Sequence, residues 1–367
     1  MPGWPWPDKL ECMMKSEAFS VTGGISRRHW SLGLLAGALG LGGLASAYAA
    51  TNDLPKLTLL VNDTSTLNHL PVLLAEHLGF FKAEGLSVDI LDQTSSVVTQ
   101  ETMASGGVYV WSAPYDLLFS PAAQGLGLMS IMQIGRTPQL ALGVSRKTLP
   151  NFKRMQDLAG KRIGVMELDS QARRCVDYAM VVGGGSPASL IHVGMGSASH
   201  AMTALRNGAV DALCGPDPLM TLLEKKDDID IVRNFRSDKD TRRLFAGPVP
   251  GNCLIAPQSL VKKHPQLCQG VVSGVARSLK WLRTAGPSDL LGNMLDNPIL
   301  LDRAVYLSAV DNMRESFSLD GLMSNEAVQA ALRLRNVLEP QHAEGRKSLQ
   351  ASFTNEFALK AQKRFKV

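Results

Sequence analysis

The sequence predicts an α/β protein of two lobes, each a doubly wound, mainly parallel sheet flanked by helices. Three observations carry this expectation. From Leu57 onward, short apolar runs alternate with segments of helical periodicity. The 367 residues suffice for two lobes with separate cores. A second strand–helix series starts after Gln139–Ser145, and a glycine- and proline-rich return follows at Gly247–Asn252.

The first lobe opens with the apolar strand Leu57–Asn62 and a polar loop, Asp63–Asn68. Leu70, Leu73, Leu74, Leu78 and Phe81 then recur at helical spacing, with Glu76, His77, Lys82 and Glu84 mostly opposite them. Pro71 suits a first helical turn, and Gly79 and Gly85 supply chain-ending freedom in φ. The strand Ser87–Leu91, a polar loop over Asp92–Gln100, a helix near Val97–Ala104 and the strand Val108–Trp111 follow. Ser112-Ala113-Pro114 ends that strand, and a helix over Tyr115–Gln124 leads to the strand Leu128–Ile134.

In the second lobe, Met155–Val165 reads as a short capped helix, a glycine turn and a buried strand. Met166–Arg173 opens a helix that ends at Gly183-Gly184-Gly185, before the strand Ile191–Val193. A glycine turn at Gly208 passes into another strand, which Pro216-Asp217-Pro218 closes. The return strand Cys253–Ala256, a helix over Gln269–Leu282 and mostly helical sequence complete the chain. The expected domain limits are 50–142 for the first part of lobe 1, 143–247 for lobe 2, 248–345 for the return to lobe 1 and 346–367 for a helical tail. Hinges are expected at the crossings Gln139–Ser145 and Gly247–Asn252.

Residues 1–49 read as a leader. Arg27-Arg28 stands just before a Gly/Ala/Leu run, Gly33–Leu44, and small-residue cleavage sites follow near Ala47 or Ala49. The run is too short and glycine-rich for a membrane span of about 20 residues. The paired arginines resemble a twin-arginine signal, with a general secretory signal as the alternative, so a periplasmic location is expected. Charged residues make up 19% of the chain and the net charge is +5, but the basic residues are dispersed. Nucleic-acid binding, which needs a concentrated basic face, is not expected. Of five cysteines, Cys175, Cys214, Cys253 and Cys268 follow the leader without metal-ligand spacing. Cys253 and Cys268 form the one short-range candidate pair; buried free thiols are the alternative.

Several strings resemble a known family. Pro71, Ala75, Gly79, Phe81, Glu84, Gly85, Leu86 and Val88 fit P-x-x-x-A followed by G-x-F-x-x-E-G-L-x-V. Asp157–Val165 resembles D-L-x-G-K-x-I-G-V, and Ala204–Ala212 resembles A-L-x-x-G-x-V-D-A. These are features of the periplasmic solute-binding proteins that serve nitrate, sulfonate and taurine importers, a group that includes Thi5-like pyrimidine binders. The resemblance implies a type II periplasmic-binding-protein fold with a ligand cleft between lobes. It implies capture of a small anion or a pyrimidine-like solute by hinge closure. It also implies a monomer that delivers its ligand to a permease of an ATP-binding cassette importer in the inner membrane. No cofactor, metal or catalysis is expected. The alternatives are a sensory binding protein and a Thi5-like pyrimidine synthase, which resemblance would equip with a cofactor-bearing lysine, a histidine and a cysteine-rich motif. No cysteine cluster is present.

Ligands of open α/β sheets sit beyond the carboxyl ends of strands, often between domains. The polar residues there are small and hydroxylic, and such groups serve oxyanions at helix N-termini or simply cap the helices. The candidates are Thr64, Asn68, Thr94, Ser95, Ser96, Ser112, Ala113, Tyr115, Ser170, Gln171, Asp217 and Asn252. Trp111 beside Tyr115 could stack on a planar ligand or pack in the core. Of Arg173 and Arg174, one is expected to face the cleft and the other solvent. Arg136 is either a counter-ion or a surface residue. The chain has no G-x-S-x-G, H-E-x-x-H or Walker loop.

Overall fold

Along the first strand, Leu57, Leu59 and Val61 enter one core while Leu60 enters another. This period-two division requires cover on both faces of the sheet. A computed structural model describes residues 54–93, 95–295, 302–342 and 352–366. The expected leader and its cleavage sites lie outside the described residues.

The chain forms β1 (Lys56–Asn62), β2 (Ser87–Gln93), β3 (Tyr109–Pro114) and β4 (Leu128–Gln133). It then forms β5 (Ala141–Ser145), β6 (Arg162–Val165), β7 (Ile191–Gly194), β8 (Ala212–Gly215) and β9 (Ile229–Asn234), and returns through β10 (Asn252–Pro257). One five-stranded sheet has the order β2-β1-β3-β10-β4 and the other β7-β6-β8-β5-β9. Each is parallel apart from one strand. β10 runs antiparallel to β3 and β4, and β5 runs antiparallel to β8 and β9. The reversed strands are the two by which the chain enters a lobe from the other. The parallel strands end where the lobes meet, so a strand that begins there must run the opposite way.

The crossings lie side by side. The Gly251 N–H donates to the Gly135 carbonyl at 2.9 Å, and the Gly135 N–H donates to the Asn252 carbonyl at 2.8 Å. A Cβ on Gly251 would lie 2.2 Å from the Thr137 carbonyl oxygen, so only glycine permits this approach. Ala141–Ser145, expected to belong to the hinge, is already strand β5 of the second sheet.

Strand β9, which pairs with β5, was not expected from the sequence; local chemistry accounts for two further departures. Gly79, at φ +68°, divides the expected Leu70–Phe81 helix into Leu70–His77 and Phe80–Ala83. The expected Tyr115–Gln124 helix is a 3₁₀ turn, Tyr115–Phe119, followed by Pro121–Gly125. Pro121 holds Ser120 in an extended conformation, and the Ser120 hydroxyl accepts from the Ala123 N–H at 3.2 Å.

The C-terminal helices are integral to the lobes. Glu356–Phe365 buries Phe357, Ala358 and Ala361 in the first core. Asn325–Leu338 places Ala327, Val328 and Ala331 beside Trp111 and Tyr115, and places Ala330 and Leu334 in the second lobe's core. A single helix therefore packs across both lobes. The four described cysteines are free and buried, including Cys253 and Cys268. No helix among the described residues is long and apolar enough to cross a membrane.

The helix Pro265–Thr284 approaches the Leu70–Ala83 region through two glycines. A Cβ on Gly270 would lie 2.6 Å from Leu86 Cδ1, and one on Gly274 would lie 2.4 Å from Phe81 Cδ1. We expect Gly274→Val to lower stability by about 1–3 kcal/mol through overpacking. Gly125→Ala, where a Cβ meets open space, should remain near the parent. Denaturant unfolding of both variants checks this.

Candidate functional site

In the first sheet the chain moves outward from β1 to β2 and then returns past β1 to β3; in the second it does the same through β6, β7 and β8. Such switch points leave a crevice beyond the strand ends. Here the two crevices face each other as a cleft of about 760 Å³. The first lobe contributes Asp63–Thr66 and Asn68 after β1, Asp92, Gln93, Ser95 and Ser96 around the end of β2, and Ser112, Pro114 and Asp116 at β3. The second lobe contributes Met166, Glu167 and Asp169–Ala172 after β6, Gly196–Ser199 after β7 and Pro216 after β8.

Of the expected residues, Thr64, Asn68, Ser95, Ser96, Ser112, Ser170, Gln171 and Asn252 line this cleft. Thr94 lies outside the described residues. Ala113, Tyr115 and Asp217 do not line it. Successive strand residues face opposite ways, so Ser112 reaches His69 while Ala113 joins Trp111 in the core. Tyr115 is fully buried; its ring meets Phe119 edge-on at 5.5 Å and its hydroxyl bonds Ser352. Asp217 pairs with Arg236 at 2.8 Å and accepts from the Thr221 N–H at 2.9 Å. The Asp217 backbone reaches the other lobe, its carbonyl accepting from the Leu67 N–H at 2.8 Å. Trp111 is a core residue whose indole N–H donates to Asn62 Oδ1 at 2.9 Å.

Three serines at the cleft have a structural task as well. Ser95, Ser170 and Ser197 cap the helices Ser96–Ala104, Gln171–Val182 and Ala198–Arg206. Their hydroxyls accept from the N–H groups of Val98, Arg173 and His200. Three helix N-termini therefore border the cavity. The Ser96 N–H already points at the Glu167 carboxylate of the opposite lobe, 3.3 and 3.4 Å from its two oxygens.

Beneath the cavity lies a polar cluster centred on His69, which the sequence reading did not select. Its Nε2 is 3.1 Å from the Asn62 carbonyl, and its Nδ1 is 2.9 Å from Ser112 Oγ and 3.3 Å from Asn252 Nδ2. A carbonyl can only accept, which assigns the proton to Nε2 and makes Nδ1 the acceptor. Burial lowers the imidazole pKa from its ordinary value, so the ring is held neutral.

The charged residues of the cleft also went unselected, apart from Arg174. Asp92 accepts from the N–H groups of Asp63 and Thr64 at 2.9 Å and from the Thr64 hydroxyl at 2.7 Å, holding the loop after β1 in place. Arg174 is buried and reaches across the lobes, its Nε 2.6 Å from Asp116, while its Nη1 pairs with Asp169. Arg173 faces outward, and Arg136, spent on the Glu315 carbonyl, does not line the cavity. Gln171 ties its helix to the return crossing, its Nε2 donating to the Pro250 carbonyl at 2.8 Å.

Residues 66–286, more than half of the chain, match the family described as NMT1/THI5 like. The chain belongs to that family. Within solved structures, a protein of Bordetella bronchiseptica RB50 is similar at 30% identity and a TM-score of 0.79, over 85% of this chain and 98% of that one. The alkanesulfonate-binding protein SsuA from Xanthomonas axonopodis pv. citri, bound to MOPS, is 16% identical with a TM-score of 0.65 over 82% of this chain and 98% of its own. The periplasmic nitrate-binding protein NrtA from Synechocystis PCC 6803 is 12% identical with a TM-score of 0.63 over 86% and 90%. These likenesses show the type II periplasmic-binding-protein fold that the sequence predicted. A curated relative, the 4-amino-5-hydroxymethyl-2-methylpyrimidine phosphate synthase THI11 of Saccharomyces cerevisiae, is 29% identical over 109 residues. That match spans 30% of this NMT1/THI5-like chain and 32% of the yeast enzyme.

His69 generates a prediction about pH. Its folded pKa lies below the ordinary value near 6.5, so below about pH 6.5 the unfolded chain binds the proton more readily and stability falls. The melting temperature should therefore drop between pH 7 and pH 5. His69→Gln should flatten that slope; an unchanged slope would remove His69 as its source.

Proposed function

We propose that this chain is the exported, solute-capturing component of an importer driven by ATP-binding cassettes. It would act as a monomer in the periplasm and present its loaded form to a permease in the inner membrane. The observation that carries this reading is the placement of the cleft. It lies between two lobes joined by adjacent crossings, at the ends of strands from both sheets, and is spanned by direct contacts such as Arg174–Asp116 and Ser96–Glu167. A solute touching the loops of both lobes adds contacts only in the closed form, so binding shifts the population toward closure. No covalent chemistry is needed for that task.

The crossings supply the pivot, and the helix Asn325–Leu338 limits the movement because it packs on both cores. Arg174–Asp116 and Ser96–Glu167 are contacts that opening would break. A cavity of about 760 Å³ suits an organic solute better than a bare triatomic or tetra-atomic ion.

A synthase is the second reading, favoured by the partial likeness to the yeast enzyme. Among the described residues lining the cleft there is a histidine, His69, but neither a lysine nor a cysteine. The described cysteines are dispersed and buried, and burial raises their thiol pKa values, that of Cys268 to about 11. This arrangement supports binding over the synthase chemistry implied by resemblance.

The capture reading predicts that the natively extracted protein carries a small solute, identifiable by mass spectrometry, which raises the melting temperature and lowers the radius of gyration in solution scattering. Glu167→Ala, which removes the carboxylate met by the Ser96 N–H across the cleft, should shift the free protein toward the open form and enlarge its radius. Stoichiometric turnover of a bound pyrimidine precursor would instead sustain the synthase.

A further inference from the structure

Helix N-termini bordered by serines are the usual invitation to an oxyanion, yet the charge of this cleft points the other way. Among the described residues five carboxylates line it, those of Asp63, Asp92, Asp116, Glu167 and Asp169, against the single guanidinium of Arg174. Arg174 is already engaged by Asp116 and Asp169. At the N-terminus of Ser96–Ala104 the place of an anion is taken by Glu167, and Asp169 stands two residues before the helix Gln171–Val182. An incoming anion would meet the summed field of these carboxylates within low-dielectric walls.

A second observation identifies what the cleft lacks. Asp116 is 2% exposed, and its Oδ2 accepts from Arg174 while its Oδ1 is buried with no hydrogen-bond partner. Asn68, also buried and also lining the cavity, leaves its Oδ1 buried and unpartnered. Both atoms are acceptors, and buried acceptors of this kind require donors. His69 cannot supply them: its proton is committed to the Asn62 carbonyl.

We infer that the cleft takes a small organic cation, a protonated amine or amidine whose N–H groups answer Asp116 Oδ1 and Asn68 Oδ1. This rests on the solute-capture reading and names its substrate class. Charge-assisted hydrogen bonds to a buried carboxylate supply the discrimination, and the outer acids Asp63, Asp92 and Glu167 draw the cation toward the cavity.

The test is calorimetric titration and thermal shift of the mature protein with agmatine, putrescine and benzamidine, set against nitrate and methanesulfonate. At least one cation should bind and raise the melting temperature, with affinity falling as salt is added, and neither anion should. Asp116→Asn keeps an acceptor for Arg174 but removes the charge; it should weaken the cation by about tenfold or more. Glu167→Gln, at a half-buried rim position, provides a second variant if the first fails to fold, and should weaken the cation severalfold. Binding of an anion without a cation overturns the inference and leaves the capture reading intact. Silence of all the probes beside an anionic or neutral co-purifying solute overturns it equally.

Discussion

The chain must leave one sheet and enter another at the edge where both sheets end. At that edge the crossing segments are held together by the backbone pairs Gly251–Gly135 and Gly135–Asn252, at a separation only glycine allows. Much else follows from this constraint. A strand entered from the cleft runs against its neighbours, which is why β5 and β10 are antiparallel. The strand-end loops of both lobes then face one space, and the pivot for relative motion lies beside the site it would close. The helix Asn325–Leu338 reinforces the arrangement by burying Ala327, Val328 and Ala331 in one core and Ala330 and Leu334 in the other.

Within that frame, Arg174 links the lobes through a pair that is poor in net stability but strict in geometry. Two desolvated charges gain little over a well-packed apolar substitute, whereas loss of either partner leaves a buried charge uncompensated. Such a contact fixes how the two lobes face each other in this structure. It also sets the electrostatics of the cleft, because among the described residues it occupies the one lining cation and leaves the charge of the remaining acids unbalanced.

Much of the fold was legible in the residues. Most strand positions followed from short apolar runs, though β5 and the half-polar edge strand β9 did not, and the Asp157–Val165 turn and the Pro265–Thr284 helix fell close to their expected places. Departures arose where one residue overrode a periodic pattern, as Gly79 and Pro121 did for their helices. The loops of the site were also legible, since polar residues after apolar strands lie at the carboxyl ends of a parallel sheet. Which side chains face the cavity was not. Ser112 and Ala113 are neighbours in sequence and opposites in space, and Tyr115 and Asp217 are claimed by partners at Ser352 and Arg236.

What the sequence by itself determined is most of the element order, without β5 and β9, the two-lobed α/β class, the family and the strand ends that hold the site. These depend on local periodicity, turn chemistry and strings of adjacent residues, all of which are written along the chain. The tertiary structure alone decided that His69 is buried and neutral, that Arg174 is engaged from both lobes, and that Asp116 and Asn68 present unanswered acceptors. The residues that meet at that cleft come from loops as far apart as Asp63 and Asn252. Their charge balance exists only once the lobes face each other, because desolvation and partner choice are properties of the assembled space.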